Sequence, residues 1–457
     1  DRSVSRGLGD VYKRQLMDRP GFNWKACIIG LSTANFLFES YVDWRQIRAV
    51  TKNGDKIPKE LKGKIDSETV VKSSKYSVSK LKFSLFSGLF NLVENVLLYK
   101  FDVLPKLWAS TGNFITILLG KSFLPSCMSG MITHSLVFSG AISIVSTVLS
   151  LPYNYYKNFV LEEAYGFNKL TLNLWVSDMF KQTAIGFVIG GPILAAFLKI
   201  IDYFGDKFMY YLSAFMGVVQ IVMLVIYPKF IQPLFNKLSP MEDGEMKVAI
   251  EKLAQRNKFP LDKLYVIDGS KRSSHSNAYF MGLPWGSKQI VLFDTLIQKS
   301  SVTEVVAVLG HEIGHWALSH TTKLLLINQA HMFAMFTFFA AFVKNNSLYQ
   351  SFGFYNEHPI IIGFMLFGDI FGPLDSVLAF AVSLLSRTYE YQADEYSTRQ
   401  GYGEELKKSL ISLHKENLSS LVVDWLYSAY NYDHPHLVER LTHIDEVEKE
   451  ISSEKKD

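Results

Sequence analysis

The chain has 457 residues, of which 48% are hydrophobic and 20% charged, against roughly 25% charged residues in an ordinary soluble protein. Its 34 Phe, 23 Tyr and 7 Trp exclude a disordered or collagen-like chain, and its two cysteines exclude a disulfide scaffold. A formal charge of +4 over this length, with no basic run interleaved with aromatic residues, argues against nucleic acid as a partner.

The N-terminal segment differs from the rest. Residues 1–16 are polar, rich in Arg and Gly, and lack the apolar core of a signal peptide. We predict that 1–16 is a non-native or disordered leader and that Met17 is the native start. The two thiols, Cys27 and Cys127, lie in apolar stretches with no paired spacing and are predicted to be buried bystanders.

Apolar residues are bunched along the chain rather than spread with helical or strand period. Each block is close to the roughly 20 residues that a helix needs to cross about 30 Å of hydrocarbon. The pattern predicts an α-helical polytopic membrane protein with seven spans, at 24–41, 83–101, 131–153, 183–201, 209–230, 324–343 and 359–385. The stretch 107–119 is short and broken by Gly112, and is predicted to be interfacial or re-entrant.

Several of these spans contain polar side chains, namely Glu39, Glu94, Asn95, Asp369 and Asp375. Each would cost several kcal/mol if it faced lipid. Two interpretations stay open. The side chains face a protein interior or a water-filled space, or they lie at helix ends and reach the headgroups.

Charge predicts the orientation, because loops rich in Lys and Arg stay in the cytosol. The loop after the first span, within 45–82, contains two Arg and nine Lys and is predicted to be cytosolic. Seven crossings then place the N-terminus on the far side, and the segments 231–323 and 386–457 in the cytosol. The loop between the last two spans becomes lumenal and contains the sequon Asn345-Asn346-Ser347.

These assignments divide the chain. Residues 17–230 hold five spans, 231–323 form a cytosolic insert, 324–385 hold the last two spans, and 386–457 form a cytosolic C-terminal region. Within the insert, 263–268, 275–281 and 289–293 are rich in Val, Ile, Tyr and Phe and are predicted to be strands. Apolar residues at helical spacing predict a helix over 303–319.

This helix contains the sharpest motif, His311-Glu312-Ile313-Gly314-His315. Two histidines four residues apart project from one helical face, so both imidazoles can reach one metal ion, and Glu312 lies beside them against a bound water. The pattern is typical of metalloproteases. Other histidines, which lack such clear spacing, are assigned structural or incidental positions, including His134, His275, His320, His331 and His436.

A hydrolytic zinc ion usually takes three protein ligands, so one ligand must come from elsewhere in the chain. The best region is 386–394, a polar helical stretch where the last span ends. Glu390 and Asp394 lie four residues apart on one face, which suits one as a ligand and the other as a partner that holds a ligand histidine. Taken alone, this spacing is more typical of a solvated face.

The sequence resembles the type I CAAX prenyl proteases, a family of integral-membrane zinc metalloproteases. The resemblance covers nearly the whole chain after Met17 and is dense in 161–163, 166–169, 268–279, 311–316, 386–394 and 434–440. It implies that His311, His315 and Glu390 bind one Zn²⁺ and that Glu312 is the general base. It also implies that His434 and Arg440 line the active site and position or stabilise the reacting carbonyl.

The same resemblance implies seven helices that enclose a chamber, with a small zincin-like α+β metalloprotease domain. It implies removal of the last three residues of prenylated CaaX proteins, with a second upstream cut in some members, in the membrane of the endoplasmic reticulum or the inner nuclear membrane. Partners are then the prenylated substrate and the lipid bilayer. An extended substrate would pair with the strand around Asn277 and Ala278, where Asn277 also offers a side-chain amide.

Two other functions are considered. A membrane quality-control metalloprotease of broad specificity shares the zinc motif, but usually has fewer spans. A non-catalytic scaffold or channel could keep a relic zinc site, but a structural site needs no general base, and Glu312 is intact.

Overall fold

The computed structural model describes residues 18–123 and 130–455. The predicted leader 1–16, Met17 and Cys127 lie outside the described residues, and Cys27 is a free, half-buried thiol. The N-terminal half forms α1 (Trp24–Asn53), α2 (Ser67–Lys100), α3 (Val103–Phe123), α4 (Met131–Tyr156), α5 (Leu172–Ile185), α6 (Gly191–Phe204), α7 (Phe208–Ile226) and α8 (Gln232–Phe235).

The C-terminal half contains four short strands and the remaining helices. In chain order these are β1 (Leu238–Pro240), α9 (Glu245–Arg256), β2 (Leu261–Ile267), β3 (Ala278–Met281), β4 (Lys288–Phe293), α10 (Asp294–Lys299), α11 (Val302–Ala317), α12 (His320–Phe342), α13 (Asn346–Ser351), α14 (Ile360–Ser397), α15 (Gly403–Glu416), α16 (Trp425–Asn431) and α17 (Leu437–Glu454). The helix predicted over 303–319 is α11, and it is confirmed.

Helices long and apolar enough to cross a membrane dominate the fold. Among the described residues there are five such runs: Ser67–Lys100, Met131–Glu162, Leu172–Phe235, His320–Phe342 and Ile360–Glu416. Together they contain six of the seven predicted spans. The third run holds two of them, because the chain turns at Gly205 and α6 packs against α7. Short π-helical segments, such as Gly186–Gly190, lengthen these runs without breaking them.

The first predicted span, 24–41, lies in α1. This helix has 30 residues and is therefore about 45 Å long, enough to cross a bilayer. It is not one of the five strongly apolar runs, so its crossing stays a prediction.

The predicted break at Gly112 is wrong. Residues 103–123 form the continuous helix α3, which packs against α4. A Cβ at Gly112 would lie 3.1 Å from the ring of His134 on α4, and the Trp108 ring stacks on the same imidazole at 3.6 Å. The glycine therefore serves close helix packing rather than a change of direction.

The polar residues of the spans divide between the two interpretations. Asp369 accepts a hydrogen bond from Tyr99 Oη of α2, and Asp375 Oδ1 lies 2.9 Å from His331 Nε2 of α12, so both face other helices. Glu39 is exposed and pairs only locally, with the Asn35 amide at 2.9 Å. The interior interpretation therefore holds for the two aspartates.

The four strands of the C-terminal half form one sheet with strand order β1-β2-β4-β3. β2 and β4 are parallel, whereas β1 and β3 pair antiparallel at the two edges. Three of these strands were predicted; β1 was missed, and β3 begins at Ala278 rather than at residue 275. α9 and α11 pack on the sheet through a core that includes Ile250, Ile290 and Leu309.

The sequon residue Asn345 is buried. It is 2% exposed, and its side-chain oxygen accepts the Leu348 N–H at 2.9 Å, which caps α13. The Ser347 hydroxyl donates to the same oxygen at 2.8 Å. A glycan on Asn345 would remove it from this position, so the sequon is unsuited to glycosylation in the folded protein.

We expect Asn345→Ala to lower the free energy of unfolding by about 1 kcal/mol, because the N-terminal cap of α13 is lost. Asn346→Ala, at the exposed neighbour, should leave stability unchanged. Thermal unfolding of both variants in detergent, together with the intact mass of the native protein, checks this account. Equal unfolding midpoints, or a glycan at Asn345, would contradict it.

Candidate metal centre

The helix α11 is fixed at its start by a capping box. The Ser301 hydroxyl accepts the Glu304 N–H, and the Glu304 carboxylate accepts the Ser301 N–H at 2.8 Å. Val305, Leu309 and Ile313 then bury one face of the helix in the core of the sheet. With that face fixed, the histidines four residues apart project from the opposite side, toward α14.

The helix α14 contributes the carboxylate side chains of the site. It has 38 residues, so one helix contains both the last apolar block and the polar stretch around Glu390. α11 packs directly against α14. The approach is close at Gly314, where a Cβ would lie 3.1 Å from Tyr396 Cβ and 3.2 Å from Ala393 Cα. The glycine inside the histidine motif lets the two helices meet.

Three side chains converge where these helices meet. His311 Nε2 lies 3.2 Å from His315 Nε2 and 3.4 Å from Glu390 Oε2. His315 Nε2 lies 3.2 Å from Glu390 Oε1. Among the described residues, these three form the group whose donor atoms could hold one metal ion, all within 4.8 Å of one another.

The donor set fits a metal ion. Nitrogen and oxygen ligands about 2.0–2.1 Å from a tetrahedral metal ion lie roughly 3.3–3.4 Å apart, close to the observed spacing. Glu390 Oε2 is buried and has no hydrogen-bond partner, which is costly for a carboxylate unless a cation satisfies it. Two imidazoles and one carboxylate are also the ligands of hydrolytic metal sites that leave one position open.

Behind His311 lies a buried ion pair. The His311 ring donates from Nδ1 to Asp394 Oδ1 at 2.8 Å, which leaves its Nε2 facing Glu390 and His315. Arg440 donates to Asp394 from Nε at 2.8 Å and from Nη2 at 2.7 Å. Its Nη1 lies 3.5 Å from Glu390 Oε2. Burial opposes the charge on Arg440, but the Asp394 carboxylate outweighs burial and raises the pKa of the guanidinium.

Behind His315 lies a residue that the sequence interpretation missed. His320 Nδ1 is 3.0 Å from His315 Nδ1, and His320 Nε2 is 2.9 Å from Gln392 Oε1. His320 is five residues after His315, outside the spacing that places two residues on one helical face. The left-handed conformation of Ser319, with φ of 58°, brings it back toward α11. No pattern in the sequence indicates such a turn.

Glu312 and His434 face the open side of the site, in a cavity of about 780 Å³. Burial raises the pKa of the Glu312 carboxyl above its usual value. His434 Nδ1 bonds Asp433 at 2.7 Å, which raises the pKa of the imidazole, and its Nε2 lies 3.4 Å from Glu390 Oε1. A group able to exchange a proton and a group able to donate a hydrogen bond therefore share the cavity.

The strand β3 borders the same cavity along the edge of the sheet. Asn277 and Ala278 line the cavity, and the Phe293 N–H on β4 donates to the Asn277 carbonyl at 3.1 Å. Because backbone groups alternate along a strand, the N–H and carbonyl of Ala278 point away from β4. The Asn277 side-chain oxygen accepts the Ala278 N–H at 2.8 Å, and its amide NH₂ stays available on the exposed side.

Comparison with known proteins gives the family of this chain. Residues 46–237 match the family model described as CAAX prenyl protease N-terminal, five membrane helices, and residues 240–448 match Peptidase family M48. CAAX prenyl protease 1 of Saccharomyces cerevisiae is 47% identical over 95% of this chain and 98% of that protein. The chain belongs to the CAAX prenyl protease 1 family. The Homo sapiens homolog is 38% identical over 89% of this chain and 92% of that protein.

A solved structure of this family has the same fold. The crystal structure of S. mikatae Ste24p matches with a TM-score of 0.87 and 48% identity, covering 94% of this chain and 100% of that one. The predicted class, an α-helical polytopic membrane protein with a small α+β metalloprotease domain, is therefore confirmed. Membership also makes the protein a hydrolase of the metallopeptidase type, and the family implies a metal.

We expect Arg440→Met to destabilise the protein by about 3–5 kcal/mol, because Asp394 would stay buried without its cation. Arg440→Lys should lower the stability by less, since lysine keeps the positive charge but cannot make the bidentate contact with the carboxylate. Arg399→Met is the control, because Arg399 pairs with carboxylates that are partly exposed, those of Glu395, Glu450 and Glu454. Its substitution should change the stability little. Thermal unfolding in detergent measures all three. Equal shifts for Arg440→Met and Arg399→Met would contradict the buried ion pair.

Proposed function

We propose that this protein is a zinc-dependent endopeptidase that removes the three C-terminal residues of prenylated CaaX proteins at the membrane. The observation that carries the proposal is the convergence of His311, His315 and Glu390 beside an exposed strand edge, with Glu312 in the same cavity. Full-length similarity to proteins named CAAX prenyl protease 1 supports the substrate class.

We assign the ligands of one Zn²⁺ to His311 Nε2, His315 Nε2 and the Glu390 carboxylate, whose spacing and unpaired oxygen fit such an ion. Bound zinc supplies Lewis acidity at the scissile carbonyl and lowers the pKa of a bound water toward 7. Asp394 holds His311 with its Nε2 lone pair directed at the site, and Arg440 compensates the charge of Asp394.

The remaining steps belong to the side chains of the cavity. The Glu312 carboxylate, which lines the cavity beside the metal ligands, takes a proton from the attacking water and passes it to the leaving amine. The His434 imidazole, oriented by Asp433, donates a hydrogen bond to the developing oxyanion. Arg440 is a positioning residue in this scheme, because two of its three nitrogens are already bonded to Asp394.

The substrate backbone pairs with the open edge of β3. The outward carbonyl of Ala278 provides a ladder contact. The Asn277 amide is the neighbouring donor, because the Ala278 N–H already donates to the Asn277 side-chain oxygen. This arrangement holds an extended peptide across the cavity, which is what cleavage near a flexible C-terminus requires.

The membrane location follows from the substrate. A single prenyl chain gives weak membrane affinity, so the enzyme meets its substrate at the bilayer when the site lies beside the membrane helices. We place the protein in the endoplasmic reticulum membrane, with the inner nuclear membrane as a second location. The Lys-rich loop within 45–82, the insert and the C-terminal region face the cytosol.

The two other functions considered from the sequence are less well supported. A broad quality-control protease would share the metallopeptidase part, but the full-length relatives are CAAX prenyl proteases. A non-catalytic scaffold would not need a carboxyl such as Glu312 that lines the same cavity as the metal ligands.

We expect purified protein to cleave a prenylated CaaX peptide, to lose this activity with a zinc chelator and to regain it with added Zn²⁺. Glu312→Gln should abolish cleavage, a loss of at least about 10²-fold, while zinc stays bound at one per chain, because the general base is removed and no ligand changes. Peptide cleavage and elemental analysis are the two measurements. Cleavage that is insensitive to chelator, or retained in Glu312→Gln, would rule the mechanism out.

Glu390→Ala should lose both zinc and activity, because one of the three ligands is removed. Glu395→Gln is the matched control on the same helix, since Glu395 pairs with Arg399 away from the site. Elemental analysis after gel filtration distinguishes them. Stoichiometric zinc in Glu390→Ala would show that the third ligand lies elsewhere.

Two substitutions of Asn277 distinguish the two roles of its side chain, as an acceptor for the Ala278 N–H and as a donor to substrate. Asn277→Asp keeps an acceptor for the Ala278 N–H but has no NH₂, whereas Asn277→Ala lacks both. If the amide donates to substrate, both variants should lose about tenfold in kcat/KM, the value of one hydrogen bond. Steady-state kinetics checks this. Wild-type kcat/KM in Asn277→Asp would mean that the side chain only orders the edge strand.

A further inference from the structure

We propose that His320 is a positioning residue that fixes the orientation of His315 as a metal ligand, through a hydrogen-bond relay that starts at Gln392. The relay consists of two contacts, His320 Nδ1 to His315 Nδ1 at 3.0 Å and His320 Nε2 to Gln392 Oε1 at 2.9 Å. This role deepens the proposed function and rests on it.

The direction of the relay follows from the donors available. An amide oxygen only accepts, so His320 Nε2 carries the proton in its contact with Gln392. The lone pair of a neutral imidazole then lies at His320 Nδ1, and His315 must donate to it from Nδ1. The consequence is a lone pair at His315 Nε2, the atom that faces His311 and Glu390. The reverse direction would place a hydrogen there and block metal binding.

The surroundings of His320 hold the relay in place. The residue is 1% exposed, and its ring stacks on Tyr389 with centroids 4.1 Å apart and planes 7° from parallel. The left-handed Ser319 separates α11 from α12 and turns the imidazole back toward His315. Tyr389 and Gln392 flank Glu390 on α14, so one helix supplies a metal ligand and both supports of His320.

The two ligand histidines are therefore held by different chemistry. His311 donates to the Asp394 carboxylate, whose charge Arg440 compensates. His315 donates instead to an uncharged imidazole that ends on an uncharged amide. The relay orients the second ligand without adding a further negative charge to a site that already contains Glu390 and Asp394.

The test compares three substitutions of His320 by their affinity for Zn²⁺, measured by competition with a chromophoric chelator. His320→Leu removes the acceptor and should weaken zinc binding 10–100-fold, the usual effect of losing a partner of a ligand histidine. His320→Asn places an amide oxygen near the Nδ1 position and should recover most of the affinity. His320→Gln places its oxygen near the Nε2 position and should recover little. His358→Leu, at an exposed histidine, is the control.

Gln392→Met provides a second route if the His320 variants fold poorly, because Gln392 is exposed and similar in size to methionine. It should weaken zinc binding in the same direction, with no change in the unfolding midpoint of the zinc-free protein. Zinc affinity within twofold of wild type in both His320→Leu and Gln392→Met would overturn the inference, as would equal weakening in His320→Leu and His320→Asn. Failure of the proposed function is distinct: wild-type protein would then neither bind zinc nor cleave the peptide.

Discussion

The contact between α11 and α14 is the interaction on which the rest of the structure depends. It places two imidazoles and a carboxylate within 3.2–3.4 Å of one another, and it can form because Gly314 has no side chain at the crossing. Burying several polar groups between two helices costs free energy unless each group has a hydrogen-bond or ionic partner. Arg440 pairs with Asp394, Asp394 with His311, and His320 with His315. Glu390 Oε2 has ionic neighbours but no hydrogen-bond partner.

The same contact joins the long apolar helices to the sheet. α14 runs without interruption from the apolar block near Ile360 to Ser397, so the position of Glu390 is tied to the packing of the membrane helices. α11 is tied to the sheet through Leu309 and Ile313, and α17 closes the site with Arg440. The geometry of the site therefore depends on elements far apart in sequence. A change in the packing of α14 against the other long helices would move Glu390 relative to the two histidines.

The periodic features were predictable from the sequence. Helical spacing predicts that His311 and His315 share a face, and Glu390 and Asp394 have the same spacing on α14. Bunched apolar residues locate six spans that coincide with strongly apolar helices. Segments rich in Val, Ile, Tyr and Phe locate three of the four strands, whereas β1 has only three residues and gives too little signal.

The features that were missed depend on single conformations or on tertiary packing. His320 reaches His315 only because Ser319 is left-handed, and serine gives no local indication of that. Gly112 was interpreted as a break because its role, contact with His134, lies in another helix. Asn345 begins a glycosylation sequon in the sequence, whereas in the structure it is a buried helix cap. Each error arises where one residue type serves several structural purposes.

The measurement that tests the central claim most directly is zinc K-edge X-ray absorption on the purified, zinc-loaded protein. The account predicts a first shell of nitrogen and oxygen at about 2.0–2.1 Å, with the outer-shell scattering of two imidazoles. A sulfur shell near 2.3 Å, or the scattering of fewer than two imidazoles, would contradict a site formed by His311, His315 and Glu390.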